Sequence, residues 1–156
     1  MTNVKISNIP CSELTTIDSL FDSFVEKYPD YRKWLKEACF DRRCILAKDD
    51  LGGIIGLLIY GFKSSDRYGM NGSSKQPIVK ICSLKVREDF RRKYLATRMV
   101  RSIERHYSST QSKWMYITVY PECADMIGFL ESFGFIRHDK LKERTGEYVY
   151  KKRIHS

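Results

Sequence analysis

The chain reads as an α/β domain with a mixed, mostly antiparallel sheet of about seven strands, flanked by about four helices. Two observations predict this. Short runs rich in Ile, Val, Leu, Tyr and Phe, bounded by turn residues, recur along the chain as strands do, while four other segments repeat apolar residues at helical spacing. The resulting order is strand, two helices, three strands, helix, strand, helix, two strands; it combines hairpins with helical crossovers, and so antiparallel with parallel pairing. At 156 residues and 42% hydrophobic content, one domain over residues 1–156 with a sizeable core is expected.

Residues 4–9 alternate like a short strand that Pro10 ends. Over 12–27 the residues Leu14, Ile17, Leu20, Phe21, Phe24 and Val25 fall on one stripe, with Ser12 as the cap, which predicts a helix. Tyr28-Pro29-Asp30 breaks it, and a second helix over 31–39 turns Trp34, Leu35 and Ala38 inward. Runs 43–48 and 53–62 flank Asp49-Asp50-Leu51-Gly52-Gly53, the signature of an antiparallel hairpin. Residues 63–77, rich in Ser and Gly, read as a loop rimming a site. A buried strand begins at Val79, and a helix follows from Leu95 with Met99 and Ile103 on one face and Ala96 and Val100 beside them. Residues 113–120 are apolar on both faces, as in a central strand. Pro121 and Glu122 suit the first turn of a helix ending near Phe133, with Gly134 as its stop and Phe129, Phe133 and Phe135 in the core. Residues 135–141 and 147–154 form the last hairpin.

The formal charge of +9 implies attraction to anions. The basic end at Lys140, Lys142, Lys151, Lys152 and Arg153 reads first as a solvated hairpin and second as a nucleic-acid contact. Five cysteines without Cys-x-x-Cys pairing, and three scattered histidines, predict neither a disulfide framework nor a metal site. No run approaches the roughly 18 apolar residues of a membrane span, and the N-terminus lacks the pattern of a signal peptide, so a cytoplasmic protein is expected.

The most informative run is residues 79–100, where a strand feeds a helix through the basic turn Arg91-Arg92-Lys93-Tyr94. The amides at a helix N-terminus lack partners and lie at the positive end of the helix dipole, so such a junction is an anion site, here strengthened by three cations.

At these residues the chain resembles the GCN5-related N-acetyltransferase (GNAT) family. The family's signature for the acetyl-CoA pyrophosphate, Arg/Gln-x-x-Gly-x-Gly/Ala, aligns with Arg91-Arg92-Lys93-Tyr94-Leu95-Ala96. Its Leu-x-Val ahead of the turn matches Leu84-Lys85-Val86, and its Phe/Leu-Tyr-Glu-Lys-x-Gly-Phe segment matches residues 129–135. Three positions depart from the pattern. Tyr94 replaces the first glycine, Leu130 stands where many members carry a tyrosine acid, and Cys123 stands where the family has Asn.

The resemblance implies a GNAT-like acyl-CoA N-acyltransferase fold and transfer of an acetyl group from acetyl-CoA to a primary amine, with the protein a monomer or homodimer. It assigns the pyrophosphate to Arg91, Arg92, Lys93, Tyr94, Leu95 and Ala96, with Thr97 adding its hydroxyl, and the pantetheine arm to main-chain groups of Leu84 and Val86. The amide of Leu84 then stabilises the oxyanion. With Leu130 unable to donate a proton, the nearby candidates for proton handling are Tyr120, Glu122 and Cys123. Cys123 reads first as a small buried packing residue and second as a thiol activated at a helix N-terminus. Two other readings stay open: a non-catalytic acyl-CoA-binding module, and an RNA-directed acetyltransferase or RNA-binding protein.

Overall fold

A computed structural model describes residues 3–13, 42–63, 78–87, 94–107, 114–142 and 146–154. The strands are β1 (Lys5–Pro10), β2 (Arg43–Lys48), β3 (Ile54–Lys63), β4 (Ile78–Val86), β5 (Trp114–Val119), β6 (Ile136–Lys142) and β7 (Tyr148–Arg153). The α-helices among the described residues are α1 (Leu95–Tyr107) and α2 (Ala124–Phe133). The seven strands form one hydrogen-bonded sheet in the order β1-β2-β3-β4-β5-β7-β6. Pairing is antiparallel for β1/β2, β2/β3, β5/β7 and β6/β7, and parallel for β4/β5. The expected mixed, mostly antiparallel sheet of seven strands is therefore present. Of the four expected helices, two lie among the described residues. Those expected over 12–27 and 31–39 fall almost wholly outside them, and Ser12 itself sits in a 3-10 turn, Cys11–Glu13. The rim loop expected over 63–77 also lies outside, except for Lys63, which continues β3.

The described residues fall in two compact units. The first draws on Met1–Gly61 and Ser83–Ser102. Its β2–β3 turn follows from Asp49, whose carboxylate accepts the amides of Leu51 (3.0 Å) and Gly53 (2.8 Å), while Gly52 takes a left-handed φ of 79°. Gly53 belongs to this turn, and β3 starts one residue later than expected. Pro10, expected to end β1, is part of it and pairs with Arg43. An edge strand tolerates proline because one side of its backbone has no ladder partner. Asn8 Oδ1 accepts from Arg43 Nε at 3.1 Å and from the Tyr60 hydroxyl at 2.9 Å, tying β1 to β2 and β3. The first half of α1 buries Leu95, Met99 and Val100. It lies directly on β3, where a Cβ built on Gly56 would meet Met99 Cε at 3.0 Å and Leu95 Cδ2 at 3.3 Å.

The second unit draws on Phe62–Cys82 and Ile103–Ser156. Met115, Tyr116 and Ile117 in β5 are buried, as expected for a central strand, and Ile78, Tyr116 and Val149 form one core cluster. The helix expected from Pro121 begins instead at Ala124. Residues 120–123 form a turn closed by the Cys123 amide on the Tyr120 carbonyl at 3.0 Å, which delays the first helical bond to Ile127 on Cys123. Gly134 ends the helix in the left-handed conformation, φ 110°, as expected. Lys152 reaches Glu104 at 2.9 Å and lies 5.4 Å from the centroid of Phe133. Tyr150 donates to Glu131 at 3.1 Å, pinning α2 to β7. Phe135 is buried, whereas Phe129 and Phe133 are only half-buried and stack at 5.9 Å.

Candidate active site

In the first unit the end of β4 and the first turn of α1 converge on one stretch of β3. The Arg87 amide donates to the Ile55 carbonyl at 2.8 Å, and the next residue, Gly56, carries the Leu95 and Met99 contacts. Leu84 is buried in β4, and Val86 is half-buried two residues on. The described parallel ladder with β5 covers only Val79–Ile81 against Met115–Ile117. Leu84 and Val86 lie beyond that ladder, on the part of β4 to which the resemblance assigns the pantetheine arm.

Arg91, Arg92 and Lys93 lie outside the described residues. Tyr94, Leu95, Ala96 and Thr97 are described and form the start of α1. Tyr94 accepts the first helical bond, from the Arg98 amide at 3.0 Å, and has φ 59°. Among the described residues it is the one non-glycine with positive φ, and it is 78% exposed. The tyrosine thus adopts the backbone conformation that glycine takes without penalty, at the position where the signature carries glycine. Leu95 is buried under the helix, while Ala96 and Thr97 are half-buried. A helix of this length offers its first amides to an anion, so the described part of the turn fits a pyrophosphate. Arg87, which the sequence reading passed over, is a described cation just past the end of β4, where Lys85 is another. Its signal was position, one residue past the Leu-x-Val strand.

In the second unit Tyr120, Glu122 and Cys123 share the turn between β5 and α2. All three are exposed, Tyr120 at 45%. The expectation that Cys123 is a buried packing residue is wrong, because the turn inserted before Ala124 leaves it outside the helix. Cys123 is the N-cap of α2, and its side chain makes no capping hydrogen bond. Leu130 is fully buried in α2, so its position belongs to the core.

The acetyltransferase (GNAT) family model matches residues 14–135, and the chain belongs to that family. No curated protein matches the sequence. Among solved structures the chain is similar to Arabidopsis thaliana NAA60 in complex with acetyl-CoA, with TM-score 0.75, 14% identity, and coverage of 97% of this chain and 99% of that one. It is also similar to PaiA N-acetyltransferase from Thermoplasma acidophilum in complex with coenzyme A, with TM-score 0.71, 13% identity, and coverage of 97% and 99%. A putative GNAT acetyltransferase from Desulfovibrio desulfuricans gives TM-score 0.73 at 13% identity over 97% and 99%. At these identities the structures establish the fold. Among the described residues no helix is long and apolar enough to cross a membrane.

Proposed function

We propose that the chain is an acetyl-CoA-dependent N-acetyltransferase that moves the acetyl group directly to a primary amine. The observation that supports this most directly is the left-handed backbone of Tyr94 at the glycine position of the pyrophosphate signature, at the start of α1. Acetyl-CoA is the acyl donor. Arg91, Arg92 and Lys93 supply charge to its pyrophosphate, the amides of Tyr94, Leu95 and Ala96 donate to it, and Thr97 adds its hydroxyl. Main-chain groups of Leu84 and Val86 hold the pantetheine arm as a strand holds its neighbour.

The neutral amine attacks the thioester carbonyl, and the Leu84 amide donates to the oxygen that becomes negative, a contribution typically worth about 3–4 kcal/mol. Collapse of the tetrahedral intermediate breaks the carbon–sulfur bond and releases coenzyme A as thiolate. The proton lost by the amine passes to water, with Glu122 the carboxylate available in the β5–α2 turn and Tyr120 and Cys123 the other proton-handling groups. Because a thiolate leaves readily, positioning carries most of the rate and no single acid is indispensable.

The test is coenzyme A release with a panel of primary amines, alongside calorimetry of coenzyme A binding. Amine-dependent release, abolished together with binding in the Arg92→Asp/Ala96→Asp double variant, is the expected result. Tyr120→Phe, Glu122→Gln and Cys123→Ala should each lower kcat by less than the roughly 10²–10⁴-fold of a lost general acid or base. Tight binding without release for any amine would turn the reading to a non-catalytic acyl-CoA-binding module. A thousandfold loss in Cys123→Ala with binding intact would place a thiol in the mechanism.

A further inference from the structure

Tyr94 is held in a way that no contact within the described protein accounts for. A tyrosine at φ 59° is an outlier, because a bulky L-side chain crowds its own backbone there. The residue is also 78% exposed, so burial does not offset the strain. Its carbonyl accepts the Arg98 amide, but among the described residues its hydroxyl and ring have no hydrogen-bond, ring or cation contact. Strain of this kind gathers at ligand sites, where the conformation serves what binds.

The same dihedral constrains where the ring goes. At a helical φ the Cα–Cβ bond nearly eclipses the N–H bond, whereas at 59° it is turned about 120° away from it. The Tyr94 amide therefore stays open to a phosphate although a side chain is present, and the ring stands beside that phosphate instead of in front of it. One side of the phosphate leads inward, to β4 and the buried Leu84, and belongs to the pantetheine arm. The exposed ring belongs to the other side, where coenzyme A carries its adenosine.

Resting on coenzyme A as the ligand of this turn, we propose that the Tyr94 ring is the platform on which its adenine stacks. One residue then holds the pyrophosphate through its amide and the base through its side chain. The purine is the one aromatic group of coenzyme A, and an exposed tyrosine offers it a π-face with few torsions to fix. Glycine at this position supplies the amide alone. The consequence of the tyrosine is donor selectivity: a thioester on coenzyme A gains the stacking contact, and one on a bare phosphopantetheine group does not.

The experiment is calorimetry of coenzyme A and of phosphopantetheine, which lacks the adenosine, on wild type, Tyr94→Phe and Tyr94→Leu. Both variants keep a Cβ at position 94, so the backbone strain is common to all three proteins. Tyr94→Phe should bind coenzyme A as wild type does. Tyr94→Leu should bind it about fivefold or more weakly, the lower limit for loss of one base–aromatic stack. Phosphopantetheine should bind all three proteins alike. Equal coenzyme A affinity in the two variants would overturn the proposal while leaving coenzyme A as the ligand. An equal loss for both ligands in Tyr94→Leu would overturn it as well, because the ring would then act on the turn and not on the base. Absence of coenzyme A binding by wild type would remove both this proposal and the assignment of the turn.

Discussion

Replacing Tyr94 with glycine and with alanine measures the backbone at the start of α1. Both substitutions remove the ring, and because the residue is 78% exposed the burial lost is small and common to the two. They differ in the Cβ. Alanine keeps it at φ 59°, a conformation that costs an L-residue roughly 1–2 kcal/mol, whereas glycine escapes that cost but gives up about 0.5–1 kcal/mol in the greater freedom of its unfolded chain. The glycine variant should therefore be the more stable by roughly 0.5–1 kcal/mol, a shift of about 1–4 °C in melting temperature at this size. Gly128, in α2 with open space where a Cβ would go, supplies the opposite case. There alanine should be the more stable by about 1 kcal/mol, as in any exposed helix interior. Urea unfolding followed by circular dichroism, with unchanged m-values, gives all the differences. If alanine at position 94 equals or exceeds glycine, the left-handed backbone is not held in solution, and the fit of this turn to the glycine signature fails.

Three further outcomes follow from the packing. Gly56→Ala should cost about 1–3 kcal/mol in chemical denaturation, because its Cβ would come within 3.0 Å of Met99 Cε. In a Met99→Ala background the same substitution should cost less, since the two share one space. Tyr150→Phe should cost about 1.5 kcal/mol at neutral pH through the lost bond to Glu131. Burial, then the Glu131 bond, raises the Tyr150 pKa above its ordinary 10.0, so its contribution is full below that value and is lost as pH rises through the higher folded one. Stability of the wild type should accordingly fall above about pH 10 more steeply than that of the phenylalanine variant. Glu104→Gln should cost about 1–2 kcal/mol and change little with salt, since both partners of the Lys152 pair are largely buried.

The sheet was legible because its central strands are apolar on both faces, and residues 43–48 were located without error. The β2–β3 turn was legible because Asp49 and Gly52 carry its chemistry. The turn after β5 was misread. Pro121 matched the rule for a first helical residue, but the bond from the Cys123 amide to the Tyr120 carbonyl is a contact that residue identity does not announce. The exposure of Cys123 followed from that error. The left-handed backbone at Tyr94 was hidden for a different reason: tyrosine has no preference for it, so only the position within the signature pointed there.

The two margins of the sheet bear on how the protein behaves when concentrated. β1 and β6 are the outermost strands, and an outer strand with free backbone groups recruits strands from other molecules. In β1, Pro10 brings no amide to such an encounter, and a foreign strand cannot extend its ladder past that residue. In β6 the register slips between Arg137 and Lys142, so the margin presents an irregular row of donors and acceptors instead of a flat template. Both margins are thus poor seeds for stacking of one molecule on the next, and among the β6 residues whose exposure is described Ile136 is the exposed apolar one.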